Sequence, residues 1–185
     1  MIDIILTVVS IALSYYYTAF MHVCANPAPY KYIVVVIVSF LICWAALFIL
    51  FGIICVSISL PVNINKEYAG TSRFYTTLFG LMLELAGFLS GARVIVNGRD
   101  KIPRKERFLF VSNHRSNYDP IIQCGEMKLQ PMAFISKRAN FRIPFIRRYM
   151  VRCRYIPLER KNMRNGAESV MKASRMISSG QSCIG

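Results

Sequence analysis

The feature that most constrains this chain is a long apolar run without a charged residue, at residues 32–60. A transmembrane helix needs about 20 consecutive apolar residues, and this run is longer than that. It ends at Pro61, which cannot continue a helix. The run is therefore predicted to be a transmembrane helix.

A second apolar segment precedes this run, at residues 2–23. It is long enough to span a membrane, and it lacks the basic start and the shorter apolar core of a cleaved signal peptide. Two prolines within residues 26–29 favour a turn between the segments. We therefore predict a hairpin of two transmembrane helices.

The distribution of charge predicts the orientation of the hairpin. Three of the 23 Lys and Arg and three of the nine Asp and Glu precede Gly91, so the whole net charge of +14 lies beyond that residue. The positive-inside tendency then places the basic domain on the cytoplasmic face, at the cell inner membrane if the protein is bacterial. Lys31, which lies between the two predicted spans, favours the opposite orientation.

A third apolar stretch, at residues 74–89, contains Glu84 and is short for a membrane span. We interpret it as an interfacial helix, because a charge at the bilayer centre costs about 2.5 kcal/mol or more. A third span is the alternative. The predicted organisation is a two-span anchor at 1–63, an interfacial helix region at 64–92 and a soluble domain at 93–185.

The excess of basic residues bears on the partners of this domain. Lipid headgroups, phosphorylated substrates and nucleic acid all attract Lys and Arg. A domain tethered to a bilayer meets membrane lipid first, and no nucleic-acid-binding motif accompanies the charge. We therefore expect membrane lipid as a partner and no nucleic acid. The six cysteines lack metal-type spacing, so we predict free thiols and no metal site.

Short apolar runs alternate with polar connections beyond Gly91, which is typical of an α/β domain. Strands are predicted at 94–96 (before an Asn97-Gly98 turn), 108–111, 132–135 and 155–158, the last at a sheet edge or an irregular position because of its proline. A helix is predicted at 167–178, with Ala167, Val170, Met171, Ser174 and Ile177 on one face and Gly180 at its end. The predicted fold class is an α/β domain with a mixed sheet flanked by helices, after N-terminal transmembrane helices.

The residues that carry chemistry follow the strand at 108–111. His114 and Asp119 are five positions apart, so they can meet only if the chain turns between them, as Ser116 and Asn117 favour. Together, the imidazole can remove a proton from a hydroxyl group while the carboxylate orients the imidazole and stabilises its charged form. No protein nucleophile accompanies the pair, which predicts direct attack by a substrate alcohol on an activated acyl group. On spacing alone, an ordinary loop histidine is an equal alternative.

The segment from Val111 through His114 to Asp119-Pro120 closely resembles the first signature block of the glycerophosphate and lysophosphatidate acyltransferase family. A second block follows in register, from Lys137 through Ile143-Pro144-Phe145 to a strand that ends in Glu159-Arg160. The resemblance covers residues 94–185. It implies an α/β acyltransferase domain that acts in phospholipid biosynthesis.

The resemblance implies roles for four residues. His114 would be the catalytic base for the acceptor hydroxyl and Asp119 its partner, while Arg160 would bind substrate phosphate and Lys137 would neutralise that phosphate or the developing oxyanion. The acceptor would be a lysophospholipid, above all 1-acylglycerol 3-phosphate, and the donor an acyl thioester, acyl-CoA or acyl carrier protein. No further cofactor is implied. A surface position is the alternative for both Arg160 and Lys137.

The sequence also departs from the family pattern. Arg147 and Arg154 stand where many members have glycine, and Glu159 replaces an aspartate. The stretch at 180–185 resembles the lead-in to the third block, Phe-Pro-Glu-Gly-Thr-Arg, so we expect a fragment without the phosphate-binding loop and with an unfilled strand position in the sheet. Whether such a fragment is active by itself is left open by the sequence.

Two other classes of protein compete with an acyltransferase. One is a non-catalytic membrane protein that binds anionic lipid through Arg147, Arg148 and Arg152, which belong, with Arg138 and Arg142, to a predicted basic face. The other is a small transporter or channel subunit, which is disfavoured because the two spans carry no ionisable residue deep in the membrane.

Overall fold

The computed structural model describes residues 2–25, 29–103, 106–113, 116, 118–128, 130, 132–158, 163–180 and 182–184, with the backbone alone described at 23–25, 29–30, 163–165 and 184. The chain forms two compact units, Met1–Ile58 and Ser59–Gly185. Each is described by itself.

The first unit consists of two long helices, α1 (Ile2–Ala25) and α2 (Pro29–Ser59). A stripe of small polar residues on α1, spaced four apart, is buried: Ser10, Ser14 and Thr18. Ser14 hydroxyl lies 2.8 Å from that of Ser39 on α2, which is also buried. Small residues of this kind let two helices approach closely and hydrogen-bond where no water is present.

The outer surface of the first unit is apolar and exposed. Side chains such as Ile4, Tyr16 and Ile42 are more than 60% exposed. In the part of the chain that the structure describes, two helices are long and apolar enough to cross a membrane, at Ile2–His22 and Lys31–Ser59. Both agree with the predicted spans in length and composition, and the orientation of the hairpin stays a prediction.

The second unit is built on a four-stranded sheet. Its strands are β1 (Leu109–Phe110), β2 (Ala133–Lys137), β3 (Ile156–Leu158) and β4 (Cys183–Ile184). Their order across the sheet is β1-β4-β2-β3, and all three pairings are parallel. The prediction of a mixed sheet is wrong for the described strands, since helical connections lie between successive strands and return the chain to run in the same direction.

Three predicted strands are confirmed with shifted ends, but the one at 94–96 is wrong. Val94, Ile95 and Val96 are exposed and belong to no strand. A strand needs a neighbouring strand to hydrogen-bond its backbone N–H and C=O groups, and none of the described strands pairs with these residues. The turn that follows is present, with Gly98 at a φ of 77° before a short 3-10 helix, Arg99–Lys101.

Two further predictions concern the edge strand β3 and the inner strand β4 of the sheet. Pro157 lies in β3, which is an edge strand as its proline predicts. The expectation of an unfilled strand position is corrected, because β4 lies between β1 and β2 and its Cys183 is fully buried.

The helix predicted at 167–178 is present as α6 (Met163–Ser178), and Ile177 of the predicted face packs on the core while the other residues of that face are exposed. Ser169, Ala173 and Met176 are buried, whereas Val170 and Met171 are more than half exposed. Both stripes have helical spacing. The structure buries the one whose small residues let the helix lie close to β3 and β4, where Ala173 and Met176 pack with Ile156 and Cys183.

The apolar stretch at 74–89 forms α3 (Arg73–Leu89), which packs within the second unit on α4 (Asp119–Glu126) and α5 (Pro144–Arg152). Phe79 is buried and stacks on Tyr149 of α5, with ring centroids 5.5 Å apart. Glu84 pairs with Lys128 at 2.9 Å. The charge that interrupts the apolar stretch therefore has a partner on the protein, and the interfacial position of α3 stays a prediction.

The approach of α3 to α4 is closest at Gly80. A Cβ atom there would lie 3.0 Å from the carbonyl oxygen of Cys124 and would overlap the side chain of Lys128. On α4, a Cβ atom at Gly125 would lie 3.3 Å from the Cα of Glu84. The two helices therefore pack closely because these two positions lack side chains.

We expect Gly80→Ala to lower the free energy of unfolding by about 1–3 kcal/mol, because the added methyl group must push the two helices apart. Gly87→Ala is the matched control on the same helix, since its Cβ atom would meet nothing within 4 Å. The measurement is the midpoint of thermal unfolding in detergent. Equal midpoints for the two variants would contradict the close packing.

Helix α5 ends in a Schellman motif centred on Arg154. The Arg154 N–H donates to Val151 O at 3.0 Å, and the Tyr155 N–H donates to Met150 O at 2.8 Å. Arg154 has a φ of 58°, the left-handed conformation that glycine adopts most easily. This explains why glycine suits this position, and it shows that Arg154 is held in an unfavourable conformation.

We expect Arg154→Gly to be more stable than Arg154→Ala by about 1 kcal/mol. Both variants lose the hydrogen bond from the Arg154 guanidinium to Ala69 O, which measures 3.0 Å. The left-handed backbone then costs alanine more than the greater entropy of the unfolded chain costs glycine. Thermal unfolding of the two proteins in the same detergent measures this difference. A more stable alanine variant would show that the left-handed conformation is absent.

Candidate active site

The segment after β1 makes the turn that the sequence predicts before Asp119. The Ser116 N–H donates to the Asp119 carboxylate at 3.0 Å, and the Asp119 N–H donates to Ser116 O at 3.3 Å. The Ser116 hydroxyl accepts from the Tyr118 N–H at 3.2 Å. The carboxylate is thus turned back toward the residues that follow β1. His114 lies outside the described residues, as do Arg115 and Asn117.

Asp119 is the first residue of α4 and Pro120 the second. Proline is well suited to the first turn of a helix, where no N–H partner is needed, and a negative side chain is stabilised there by the helix dipole. Asp119 is only partly exposed. The sequence Asp-Pro therefore starts the helix and fixes the position of the carboxylate at the same time.

A hydrogen bond that sequence reasoning missed ties the segment after β1 to α4. The Gln123 side-chain amide donates to the Ser112 hydroxyl at 2.7 Å. Gln123 lies about one turn after Asp119, and Ser112 precedes Asn113-His114 in the motif. The i, i+4 spacing from Asp119 was the available signal for Gln123. This bond holds the two ends of the candidate catalytic loop together.

Lys137 is the last residue of β2, and its side chain is exposed. Phe110 of β1 and Phe134 of β2 both pair with Ile184 of β4, so they lie at the same height in the sheet. Lys137 therefore extends beyond the same edge as the segment after β1. The two strands are separated by two strand spacings, about 10 Å.

Of the four predicted site residues, the structure describes Asp119 and Lys137 but not His114 and Arg160. The structure places Asp119 and Lys137 at the carboxyl edge of the parallel sheet, which is where open α/β sheets bind their ligands. Arg160 lies outside the described residues, two positions after the last residue of β3, Leu158. The predicted roles of His114 and Arg160 stay predictions.

Two buried cysteines lie on the helices of this unit, Cys124 in α4 and Cys153 at the end of α5. Cys124 Sγ is 3.4 Å from the Tyr155 hydroxyl, and Cys153 Sγ is 3.7 Å from that of Thr76. Burial raises the pKa of each thiol to about 12, and it raises the pKa of Tyr155 well above its ordinary value. Neither thiol is an available nucleophile at neutral pH. The prediction of free thiols is confirmed for the five cysteines whose side chains are described.

We expect iodoacetamide at pH 8 to modify Cys124 and Cys153 about 1,000-fold more slowly in the folded protein than in the unfolded chain, since the thiolate is the reactive form. Peptide mass spectrometry measures both rates. Because the folded pKa values exceed the ordinary 9.0, the neutral thiols stabilise the fold below pH 9, and this contribution falls as the pH rises from 9 toward 12. Equal rates in both states would contradict the burial.

The described residues contain no cluster of three or more His, Cys, Asp or Glu that could hold a metal ion. Among these residues, the carboxylate of Asp119 and the cation of Lys137 lie at one edge of the sheet.

Comparison with known proteins identifies the family. Residues 93–185, about half of the chain, match the family described as Acyltransferase. The chain belongs to the acyltransferase family. The match contains all four strands, α4 and the four predicted site residues.

Two curated relatives carry the same description, 1-acyl-sn-glycerol-3-phosphate acyltransferase. The protein from Borreliella burgdorferi is 27% identical over 100 residues, which are 54% of this chain and 40% of that protein. The protein from Streptococcus pneumoniae is 29% identical over 101 residues, 54% of this chain and 38% of that protein. The chain thus spans about two fifths of the length of these relatives. No solved structure matches it.

The acyltransferase domain depends on a helix outside the matched region. The match begins at residue 93, but α3 ends at Leu89 and packs on α4, which carries Asp119 at its start. The Thr77 hydroxyl donates to Lys128 O just beyond α4, at 3.1 Å. Helix α3 therefore helps to position the Asp119 carboxylate, although it lies before the matched region.

Proposed function

We propose that this chain carries the catalytic base and its partner of an enzyme that transfers an acyl group from a thioester to a lysophospholipid. His114 removes the proton from the acceptor hydroxyl, whose oxygen attacks the thioester carbonyl carbon. The C–S bond breaks, the new ester forms, and the thiolate that leaves takes the proton from the imidazolium. Asp119 orients the imidazole and stabilises its charge in between.

The observation that carries this proposal is the turn at Ser116–Asp119. The carboxylate accepts a hydrogen bond from the Ser116 N–H, so it is directed toward the start of its own loop, where His114 lies two positions before Ser116 in sequence. The turn follows β1 at the carboxyl edge of the sheet and falls within the region that matches the family. A helical course through 114–119 would have separated the two residues.

The acceptor proposed is 1-acylglycerol 3-phosphate, with phosphatidate as the product. Both curated relatives are described as acting on this class of acceptor. A phosphate next to the acceptor hydroxyl would bind Arg160, whose guanidinium forms two parallel hydrogen bonds, and the Lys137 ammonium would neutralise it further or stabilise the oxyanion of the attacked carbonyl. Acyl-CoA and acyl carrier protein both supply the required thioester.

The proposed location is a membrane, with the acyltransferase domain on the cytoplasmic face. Two helices that are long and apolar enough to span support it, and so does the concentration of positive charge beyond Gly91. A lysophospholipid acceptor resides in the bilayer. An enzyme tethered there meets its acceptor without first extracting it into water.

We expect His114→Ala to lower the rate of acyl transfer from labelled acyl-CoA to 1-acylglycerol 3-phosphate by about 10²–10⁴-fold, the usual contribution of a general base. The assay uses purified protein in detergent. Arg175→Gln is the control, because Arg175 is an exposed cation on α6. It should keep the unsubstituted rate.

The same assay should include a version of the chain that continues through a Phe-Pro-Glu-Gly-Thr-Arg segment, again with and without His114→Ala. Transfer that requires His114 in either version supports the proposal. Full transfer in the His114→Ala protein contradicts it, and absence of transfer to any lysophospholipid in both versions favours a protein that only binds anionic lipid.

A further inference from the structure

Gln123 carries a side-chain amide that the fold satisfies at one end only. Its Nε2 group donates to the Ser112 hydroxyl at 2.7 Å, but its Oε1 atom is buried and has no hydrogen-bond partner within the described residues. Turning the amide over would leave the nitrogen unpartnered instead. A buried polar atom without a partner destabilises a fold, and leucine would avoid this cost. The stability of the fold therefore does not explain a glutamine at this position.

Apolar contacts already hold α4 in place without the Gln123 amide. Cys124 and Met127 belong to a buried core cluster, and Phe110 of β1 packs on that cluster. Helix α3 also packs closely on α4 at Gly125. The specific effect of the bond from Gln123 is therefore on Ser112, rather than on the position of the helix.

Ser112 and Ser116 lie on either side of His114 in the sequence, each two positions away. Side chains of α4 bind both serines. Gln123 donates to the Ser112 hydroxyl at 2.7 Å, and the Asp119 carboxylate accepts from the Ser116 N–H at 3.0 Å. Asp119 and Gln123 are four positions apart, so they lie on one face of the helix. One helix face therefore holds the chain on both sides of His114, which itself lies outside the described residues.

These two bonds bear on the placement of a catalytic base. A base must lie within hydrogen-bond reach of the carboxylate that orients it, and a displacement of about 1 Å can cost a large part of the rate. With the bond to Ser116 alone, the chain is held on one side of His114. The bond from Gln123 to Ser112 adds the second point of attachment.

We propose that Gln123 is a positioning residue for acyl transfer, whose bond to Ser112 keeps the His114 imidazole next to the Asp119 carboxylate. This inference rests on the proposed function of His114 and Asp119. Gln123 acts through the chain that carries the base and does not contact the substrate. Loss of its bond weakens the pairing of imidazole and carboxylate, and with it the stabilisation of the charged imidazole.

The test is a pH titration of the His114 ring, followed by NMR of the full chain in detergent with ¹³C-labelled histidine. The chain has two histidines, so the His114 signal is the one that His114→Ala removes. A nearby carboxylate favours the charged imidazole, so Asp119→Asn should move the midpoint of this titration to lower pH. Gln123→Leu and Ser112→Ala remove the same bond from its two ends. Each should move the midpoint in the same direction, by at least about 0.5 pH units.

Two control variants separate positioning from a general effect on the structure. Ser112→Thr keeps the hydroxyl that accepts the bond, and Gln130→Leu makes the same exchange as Gln123→Leu at a glutamine beyond the end of α4. Both should keep the original midpoint. Where acyl transfer is measured, Gln123→Leu should lower kcat about tenfold and leave KM unchanged, because the lost bond affects the base and not the binding of substrate.

The outcomes distinguish this inference from the proposed function. If Asp119→Asn lowers the titration midpoint but Gln123→Leu does not, Gln123 has no positioning role and the inference alone is overturned. If neither variant changes the midpoint, the imidazole is not paired with the carboxylate, which contradicts the proposed function as well. A lower temperature of thermal unfolding for Gln123→Leu with an unchanged titration would identify a purely structural role. Ser112→Ala provides the same comparison if Gln123→Leu fails to fold.

Discussion

Strand β4 pairs with β1 on one side and with β2 on the other, and these parallel pairings set the geometry of the second unit. The Cys183 N–H donates to Phe108 O at 3.2 Å, and the Ala133 N–H donates to Ser182 O at 3.0 Å. Without this strand, β1 and β2 would have no common partner. The Ser116–Asp119 turn and Lys137 would then not be fixed at one edge of the same sheet.

A second constraint is the close packing of α4 on α3. Helix α4 begins at Asp119 and is held close to α3 by Gly80 and Gly125, whose missing side chains let the backbones approach. The bond from Gln123 to Ser112 then connects α4 to the segment after β1. The carboxylate is thus positioned by a helix that the family match does not include. This is a physical reason for α3 and the acyltransferase domain to fold as one unit.

The parts predicted correctly are those in which a local pattern determines the outcome. Long apolar runs predicted α1 and α2, and Ser116 with Asn117 predicted a turn between His114 and Asp119, of which the structure describes the part at Ser116–Asp119. The errors arise where the structure of a segment depends on partners that are distant in sequence. Residues 94–96 have the apolar sequence of a strand, but no described strand pairs with them. Strand β4 has two residues, too few for a recognisable pattern of apolar residues. Helix α6 has two stripes of residues at helical spacing, and packing on the sheet decides which stripe is buried. The sequence also does not reveal that Glu84 pairs with Lys128, 44 positions away, and the interfacial position of α3 stays a prediction.

The central claim is that His114 and Asp119 act as one catalytic unit, and a double-mutant cycle tests it most directly. Rates of acyl transfer would be compared for the unsubstituted protein, His114→Ala, Asp119→Asn and the double variant. If Asp119 acts through His114, the double variant is no slower than His114→Ala alone, because the carboxylate has nothing left to orient. Losses that multiply would show that the two residues act independently and would contradict this account.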